Sequence, residues 1–232
     1  MHIGVSIRII GVLLMLFSCA MLPSLWFGLI AGDGSSDEFS LSFGLTAFAG
    51  LCLWLPTRHC KSDLYIRDGF LVTALFWTVL GIFGALPFFL SQSLDMSVAD
   101  SIFESISGLT TTGSTVIVGL DELPRSILFY RQLLQWLGGI GIIVLAVAIL
   151  PMLGIGGMQL YRAESTGPSK DSKLTPRITG TAKALFGVYL GLTIACGICY
   201  WLAGMTVFDA VCHAFSTVAT GGASTHDASM GF

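Results

Sequence analysis

Long uncharged runs separated by short polar turns set the pattern of this chain. Residues 9–32, 39–56, 69–94, 132–158 and 184–206 are each predominantly apolar. A hydrocarbon core of about 30 Å takes roughly 20 residues of helix, so the pattern predicts five spanning α-helices. The second run is the shortest and stops at Pro56, ahead of Thr57, Arg58 and His59. The first has a rival reading as a secretory leader, with Arg8 in its basic region and a faint cleavage signal over Leu16, Phe17, Ser18 and Cys19. Its apolar stretch runs on past Cys19 into an acidic turn from Asp33 to Glu38, which favours a retained helix over the short core of a leader.

Two apolar pieces, 98–108 and 207–217, are too short to cross. Eleven residues at 1.5 Å rise reach about 16 Å, half a membrane, so each is expected to be a re-entrant half-helix. Ser101 to Glu104 reads as a capping box and predicts a helix start there. Each piece runs into a Thr/Gly stretch: Leu109, Thr110, Thr111, Thr112, Gly113, Ser114 after the first, and Val218, Ala219, Thr220, Gly221, Gly222, Ala223, Ser224 after the second. A shift of 109 brings them into register: Met96 on Met205, Val98 on Val207, Asp100 on Asp209, Ser107 on Ser216, Thr111 on Thr220 and Gly113 on Gly222. The chain therefore contains an internal repeat of spanning helix, half-helix and Thr/Gly loop.

Composition agrees with a membrane protein. Of 232 residues, 54% are hydrophobic and 11% charged, with mean hydropathy +0.83, against about 25% charged in a soluble domain. This excludes a disordered tail and most water-soluble enzymes. A net charge of −3 excludes a nucleic-acid partner bound through phosphates, and six cysteines in so apolar a chain do not make a secreted disulfide scaffold. With the N-terminus in the cytoplasm, nine of the eleven Lys and Arg but only four of the fourteen Asp and Glu fall inside, giving +5 on the inner face and −8 on the outer. That arrangement obeys the positive-inside bias, and the acidic outer face either concentrates cations or is incidental to it.

Irregular backbone at membrane depth is tolerated only inside protein or along a water-filled cavity, where its carbonyls can replace an ion's hydration shell. Glycine admits the positive φ that turns successive carbonyls one way. A half-helix entering from outside aims its negative C-terminal end at the same place. Neither loop holds a carboxylate, which disfavours a calcium-type site and leaves a large monovalent cation.

Other readings of the letters are weaker. Residues 108–115 nearly spell a phosphate loop, but Ser stands where the essential Lys belongs and the preceding strand is missing. Cys196 and Cys199, one lone pair inside a spanning run, read as small packing residues. Cys212, His213 and His226 lack the second cluster of a metal site. Asp100 and Asp209 read as half-helix caps, Gly138, Gly139 and Gly141 as close packing or a bend. Arg131 lies a turn inside the membrane, where it either snorkels or pairs with an acid. Paired carboxylates or a nucleophile–base pair at membrane depth are not found, so the chain is not expected to be an enzyme.

Residues 107–114 (SGLTTTGS), 127–164 and 220–229 (TGGASTHDAS) carry a resemblance that runs almost end to end. The chain is similar to the N-terminal half of a Trk-type potassium uptake subunit of the Trk/Ktr/HKT superfamily. The resemblance implies an all-α polytopic membrane protein of the bacterial cytoplasmic (inner) membrane, with four helix–half-helix–helix pore repeats around one axis. On this numbering, 1–66 would be two extra N-terminal helices, 67–158 the first pore repeat, 159–178 a basic cytoplasmic loop and 179–232 the start of the second repeat. Gly113 and Gly222 carry over as the key filter glycines, which in this superfamily go with potassium. Thr110, Thr111 and Thr112, with Ala219, Thr220 and Gly221, carry over as the ion-facing carbonyls. Potassium is then the transported ion, passing through a channel or by symport with protons or sodium, and no organic cofactor is implied. The implied partners are membrane lipid, a second copy in a homodimer and a cytosolic nucleotide-binding regulatory subunit. The basic segment from Arg162 to Lys183 is a contact either for that subunit or for anionic lipid. Two filter strands cannot encircle an ion, so the chain is expected to be part of a longer protein and not to conduct alone. The contrasting reading is a non-conducting membrane fragment with a structural or assembly role.

Overall fold

The computed structural model describes residues 3–60, 66–148 and 171–231. Regular structure among these residues is helical: α1 Ile3–Cys19, α2 Met21–Ala31, α3 Ser36–Thr57, α4 Ile66–Gly84, α5 Leu86–Leu90, α6 Val98–Leu109, α7 Arg125–Ala148, α8 Asp171–Leu202 and α9 Val207–Val218. By length and composition, Ile3–Ala31, Ser36–Thr57, Leu71–Leu90 and Gly180–Leu202 can each cross a membrane. These match four of the five apolar runs. The remaining run is carried by α7, whose expected continuation through 149–158 lies outside the described residues, as does 159–170 of the basic loop.

Two of the crossings are broken helices, and proline accounts for both. A proline ring clashes with the carbonyl four residues back and has no N–H to give it. Pro23 acts on Cys19, where α1 ends, and Pro87 on Phe83, beside the end of α4 at Gly84. At each break the chain tightens by one bond, Ala20 N to Phe17 O at 2.9 Å and Ala85 N to Ile82 O at 3.2 Å. Tyr130 of α7 reaches into the second break and donates to the Gly84 carbonyl at 3.0 Å. Its ring packs beside Phe39 of α3 and Phe88 of α5, with centroids 5.4 and 5.3 Å away.

Helix α1 crosses α3 at glycine. A Cβ on Gly11 would stand 2.8 Å from the Gly50 carbonyl oxygen, and one on Gly50 would stand 2.8 Å from the Gly11 oxygen. Small residues permit this backbone contact, which is how helices pack when lipid competes equally well for apolar side chains. The two half-helices α6 and α9 lie against α7, with α6 also against α4 and α9 against α8. An aromatic chain joins α2, α7, α8 and α9: Phe27 on Phe129 at 4.6 Å, Phe129 on Phe215 at 5.9 Å, Phe215 stacked on Trp136 at 5.1 Å and Trp136 on Tyr189 at 5.9 Å. Gly138 and Gly139 sit where a Cβ would run into the Leu109 carbonyl and the Tyr189 hydroxyl, while one on Gly141 would make ordinary contact with the Phe76 and Trp77 rings. The close-packing reading of that glycine run holds.

The acid-bearing connections meet at one end of the bundle. Asp33, just past α2, accepts from Ser35 N and Oγ at 3.2 and 2.5 Å and from Ser126 N and Oγ at 3.3 and 2.8 Å. The Ser35 and Ser126 hydroxyls also lie within hydrogen-bond distance of each other, so two of these three hydroxyl contacts carry a proton at any one time. Partial burial works to raise the Asp33 pKa, but these hydrogen bonds outweigh it and hold the carboxyl below its ordinary 3.8.

Two outcomes follow. Gly50→Ala should destabilise by about 1–3 kcal/mol through overpacking, read as a lowered melting temperature in detergent, while Gly44→Ala, where a Cβ meets nothing within 4 Å, should be neutral or slightly stabilising. The stability that Asp33 supplies is present above its unfolded value of 3.8 and is lost as pH falls through its lower folded value. Asp33→Asn should therefore flatten the acid side of the stability–pH curve and leave its slope near neutrality unchanged.

Candidate functional site

Both half-helices start and stop by the same local chemistry. Ser97 and Thr206 are the N-caps, each hydroxyl oxygen accepting from a backbone N–H three residues on, Asp100 N and Asp209 N, both at 3.2 Å. The aspartates answer by accepting the cap hydroxyl protons at 2.6 and 2.5 Å. Asp100 and Asp209 are thus third-position partners of the caps, where the sequence suggested the caps themselves. The box sits four residues earlier than the one expected at Ser101, and Glu104 is released for a different task.

At the other end each half-helix closes in a Schellman turn, in which the two residues past the cap bond back into the last turn. Thr111 N reaches Gly108 O at 3.0 Å and Thr112 N reaches Ser107 O at 2.9 Å; Thr220 N reaches Thr217 O at 3.0 Å and Gly221 N reaches Ser216 O at 2.9 Å. The turn requires a left-handed residue, and here it is Thr111 at φ 55° and Thr220 at φ 56°. A β-branched residue there is a genuine outlier and costs about 1–3 kcal/mol unless the surroundings enforce it. Gly113 and Gly222, both at φ 76°, turn the chain a second time two residues later. The two loops therefore share their backbone path residue for residue, 109 positions apart.

They also meet. A Cβ on Gly113 would overlap the Gly221 carbonyl oxygen, and one on Gly221 would stand 2.5 Å from Gln135 Cδ. Of the eight residues singled out from the sequence, Gly113 and Gly221 are in backbone contact across the two loops. Thr110, Thr112, Thr220 and Gly222 are exposed, Thr111 and Gly113 half-buried, and Ala219 and Gly221 buried. The first segment hangs from its half-helix by Ser107 Oγ, which donates to Ser114 O at 2.6 Å, whereas the matching Ser216 Oγ turns back to His213 O at 3.2 Å. The phosphate-loop reading has no support in this path, since an irregular segment follows residues 108–115 where that motif needs a helix.

Arg131 proves to be paired. Its Nε lies 2.9 Å from Glu104 Oε1, with the two side chains 3% and 6% exposed. Its fork also donates to Thr115 Oγ1 at 3.0 Å and to Ser224 O at 3.4 Å. Glu104, Thr115 and Gln135 are functional candidates that reading the letters missed. The connection past the second loop returns to the first: His226 Nδ1 is 2.5 Å from Asp121 Oδ1, and Leu120 N donates to Asp227 Oδ1 at 3.1 Å. The His226 contact holds the exposed Asp121 carboxyl below its ordinary range. Among the described residues no group of three or more His, Cys, Asp and Glu side chains is placed to hold a metal, and Cys196 and Cys199 carry free thiols on α8.

The family profile described as "TrkH: Cation transport protein" matches residues 35–232. The Trk system potassium uptake protein TrkH of Vibrio parahaemolyticus is 62% identical over 226 residues, covering 97% of this chain and 47% of that protein. TrkH of Escherichia coli is 56% identical over 232 residues, covering 100% and 48%, and TrkG of Escherichia coli is 44% identical over 231 residues with the same coverage. The crystal structure of the potassium transporter TrkH from Vibrio parahaemolyticus superposes with a TM-score of 0.88 at 56% identity, covering all of this chain and 46% of that one. The chain spans about half the length of the curated relatives it matches. An all-helical chain with paired half-helices, matched from residue 35 to its last residue by that profile, belongs to the TrkH family of cation transport proteins.

Proposed function

We propose that the chain is the N-terminal half of the ion-conducting subunit of a potassium uptake system in the bacterial cytoplasmic membrane. Its N-terminus lies in the cytoplasm and both half-helices enter from outside. Potassium sheds water against the backbone oxygens of Thr110, Thr111, Thr112 and Gly113 on one side and Ala219, Thr220, Gly221 and Gly222 on another. Two further strands, from the part of the protein that its relatives have in addition, complete the ring. Residues 67–158 and 179–232 are then a first and a second pore repeat, with 1–66 as accessory helices. The protein works as a homodimer with a cytosolic nucleotide-binding subunit, which the basic segment from Arg162 to Lys183 meets.

One observation carries the reading: two loops 109 residues apart repeat the same strained turn, and their backbones touch at Gly113 and Gly221. Strain at a threonine persists where something other than stability requires it, and two copies of it facing each other suit a shared ligand. The ligand's chemistry follows from the donor set. Neutral carbonyls and hydroxyls with no carboxylate suit a weakly hydrated monovalent cation, and the half-helix C-termini add about half a negative charge each. The names of the relatives supply potassium as the ion.

Gly113→Ser in the full-length protein is the test. A Cβ there meets both the left-handed φ and the facing carbonyl, so the preference for potassium over sodium uptake should fall about tenfold, matching the roughly 1–2 kcal/mol that a side chain costs in that conformation. An unchanged ratio at normal membrane abundance would overturn the reading in favour of a structural fragment whose loops merely connect helices.

A further inference from the structure

The two loops are held from behind by side chains that also stand 109 residues apart. Glu104 of α6 matches His213 of α9, and Thr115 matches Ser224. Thr115 Oγ1 lies 3.0 and 2.9 Å from the two Glu104 oxygens, and Ser224 Oγ lies 3.1 Å from His213 Nε2. In each case the same hydroxyl accepts the backbone N–H two residues on, Ile117 N and His226 N, both at 3.0 Å. Letters differ at both positions, yet the bonding diagram is the same.

The protons can be placed. His213 Nδ1 is 2.8 Å from the Asp209 carbonyl oxygen, and a carbonyl only accepts, so Nδ1 carries the hydrogen. Nε2 is left to face the Ser224 hydroxyl. Thr115 gives its one proton to Glu104, and its two lone pairs take Arg131 Nη2 and Ile117 N.

Arg131 joins the two halves. Planar and fixed by α7, its fork holds Glu104 and Thr115 of the first repeat and the Ser224 carbonyl of the second. Such a pair, buried on both sides, adds little stability over apolar residues of equal volume. What it supplies is orientation, because each of the donors it uses has one direction. Thr115 lies two residues past Gly113 and Ser224 two past Gly222, so the clamp grips both segments just beyond their contact.

We infer that Glu104, Thr115 and Arg131, with His213 and Ser224, are positioning residues for ion selectivity. They set the spacing between the two segments without touching the ion. A slack segment would close on a smaller ion, and discrimination against sodium would be lost. The inference rests on the ion-passage reading above.

The test uses the full-length protein in membranes, with potassium and sodium uptake measured separately beside protein abundance. Thr115→Val and Ser224→Ala remove one hydroxyl each and leave the buried Glu104–Arg131 pair intact. Each should lower the potassium-over-sodium ratio about five- to tenfold, the loss expected for one hydrogen bond in a charged network, and Thr115→Ser should restore it. Arg131→Lys keeps the charge but loses the fork, and should lower the ratio as well; if that variant does not reach the membrane, the two hydroxyl variants decide alone. Lower total uptake at an unchanged ratio would mean a merely structural bracket and would overturn the inference. An unchanged ratio in Thr115→Val and Ser224→Ala beside a shifted one in Gly113→Ser sinks the inference and leaves the ion-passage reading standing. An unchanged ratio in all three sinks both.

Discussion

Backbone polar groups inside a bilayer must find partners within the protein, and the architecture of this chain follows from that constraint. A helix that stops halfway leaves its last carbonyls and the residues beyond it without a ladder. Here the Schellman turns at Thr111 and Thr220 recover two of those bonds in each loop, and the side-chain brackets at Thr115 and Ser224 recover more. What is left pointing away from these bonds is a short run of bare backbone in each repeat. The rest of the structure encloses that run.

Helix α7 does most of the enclosing. It packs between the two half-helices, with Gly138 admitting the Leu109 carbonyl and Leu134 lying against Gly108 of α6, and Phe129 and Trp136 against Phe215 of α9. The same helix sends Tyr130 into the proline break of α4, Arg131 behind both loops and Trp136 into the aromatic chain. A residue every few positions therefore serves a different neighbour, which explains why α7 carries Arg131 and Gln135 buried, the first bonded to Glu104 and the second to Ala223 N. Helices α1 and α3 cross at glycine and pack onto α4 and α5 beside this centre.

Repetition with divergence is the second theme. Capping residues differ between repeats, Ser97 against Thr206, and so do the brackets, glutamate against histidine, while bond lengths and φ values agree closely. Geometry is held where letters are not, because a hydroxyl cap or a hydroxyl acceptor can be built from several side chains. The bracket differs in kind: the first repeat carries an ion pair and the second an imidazole. Arg131 spans the difference by reaching a backbone carbonyl, Ser224 O, in the repeat whose position matching Glu104 is a histidine.

Much of this was legible in the letters. Apolar run lengths gave the crossings, the shift of 109 gave the repeated half-helices, and glycine at 113 and 222 marked positive φ, since all three depend on local chemistry. The same shift pairs Glu104 with His213 and Thr115 with Ser224, and only their non-identity hid them. The start of α6 was misplaced because Ser101 and Glu104 imitate a capping box, whereas Glu104 is drawn inward by Arg131, 27 residues on. Positive φ at Thr111 and Thr220 was invisible in sequence, because no local preference puts a β-branched residue there. The choice between a snorkelling and a paired Arg131, and the contact of Gly113 with Gly221, belonged to tertiary structure alone. Both depend on how α7 brings two segments together from a hundred residues apart, and that distance is beyond the reach of any periodicity.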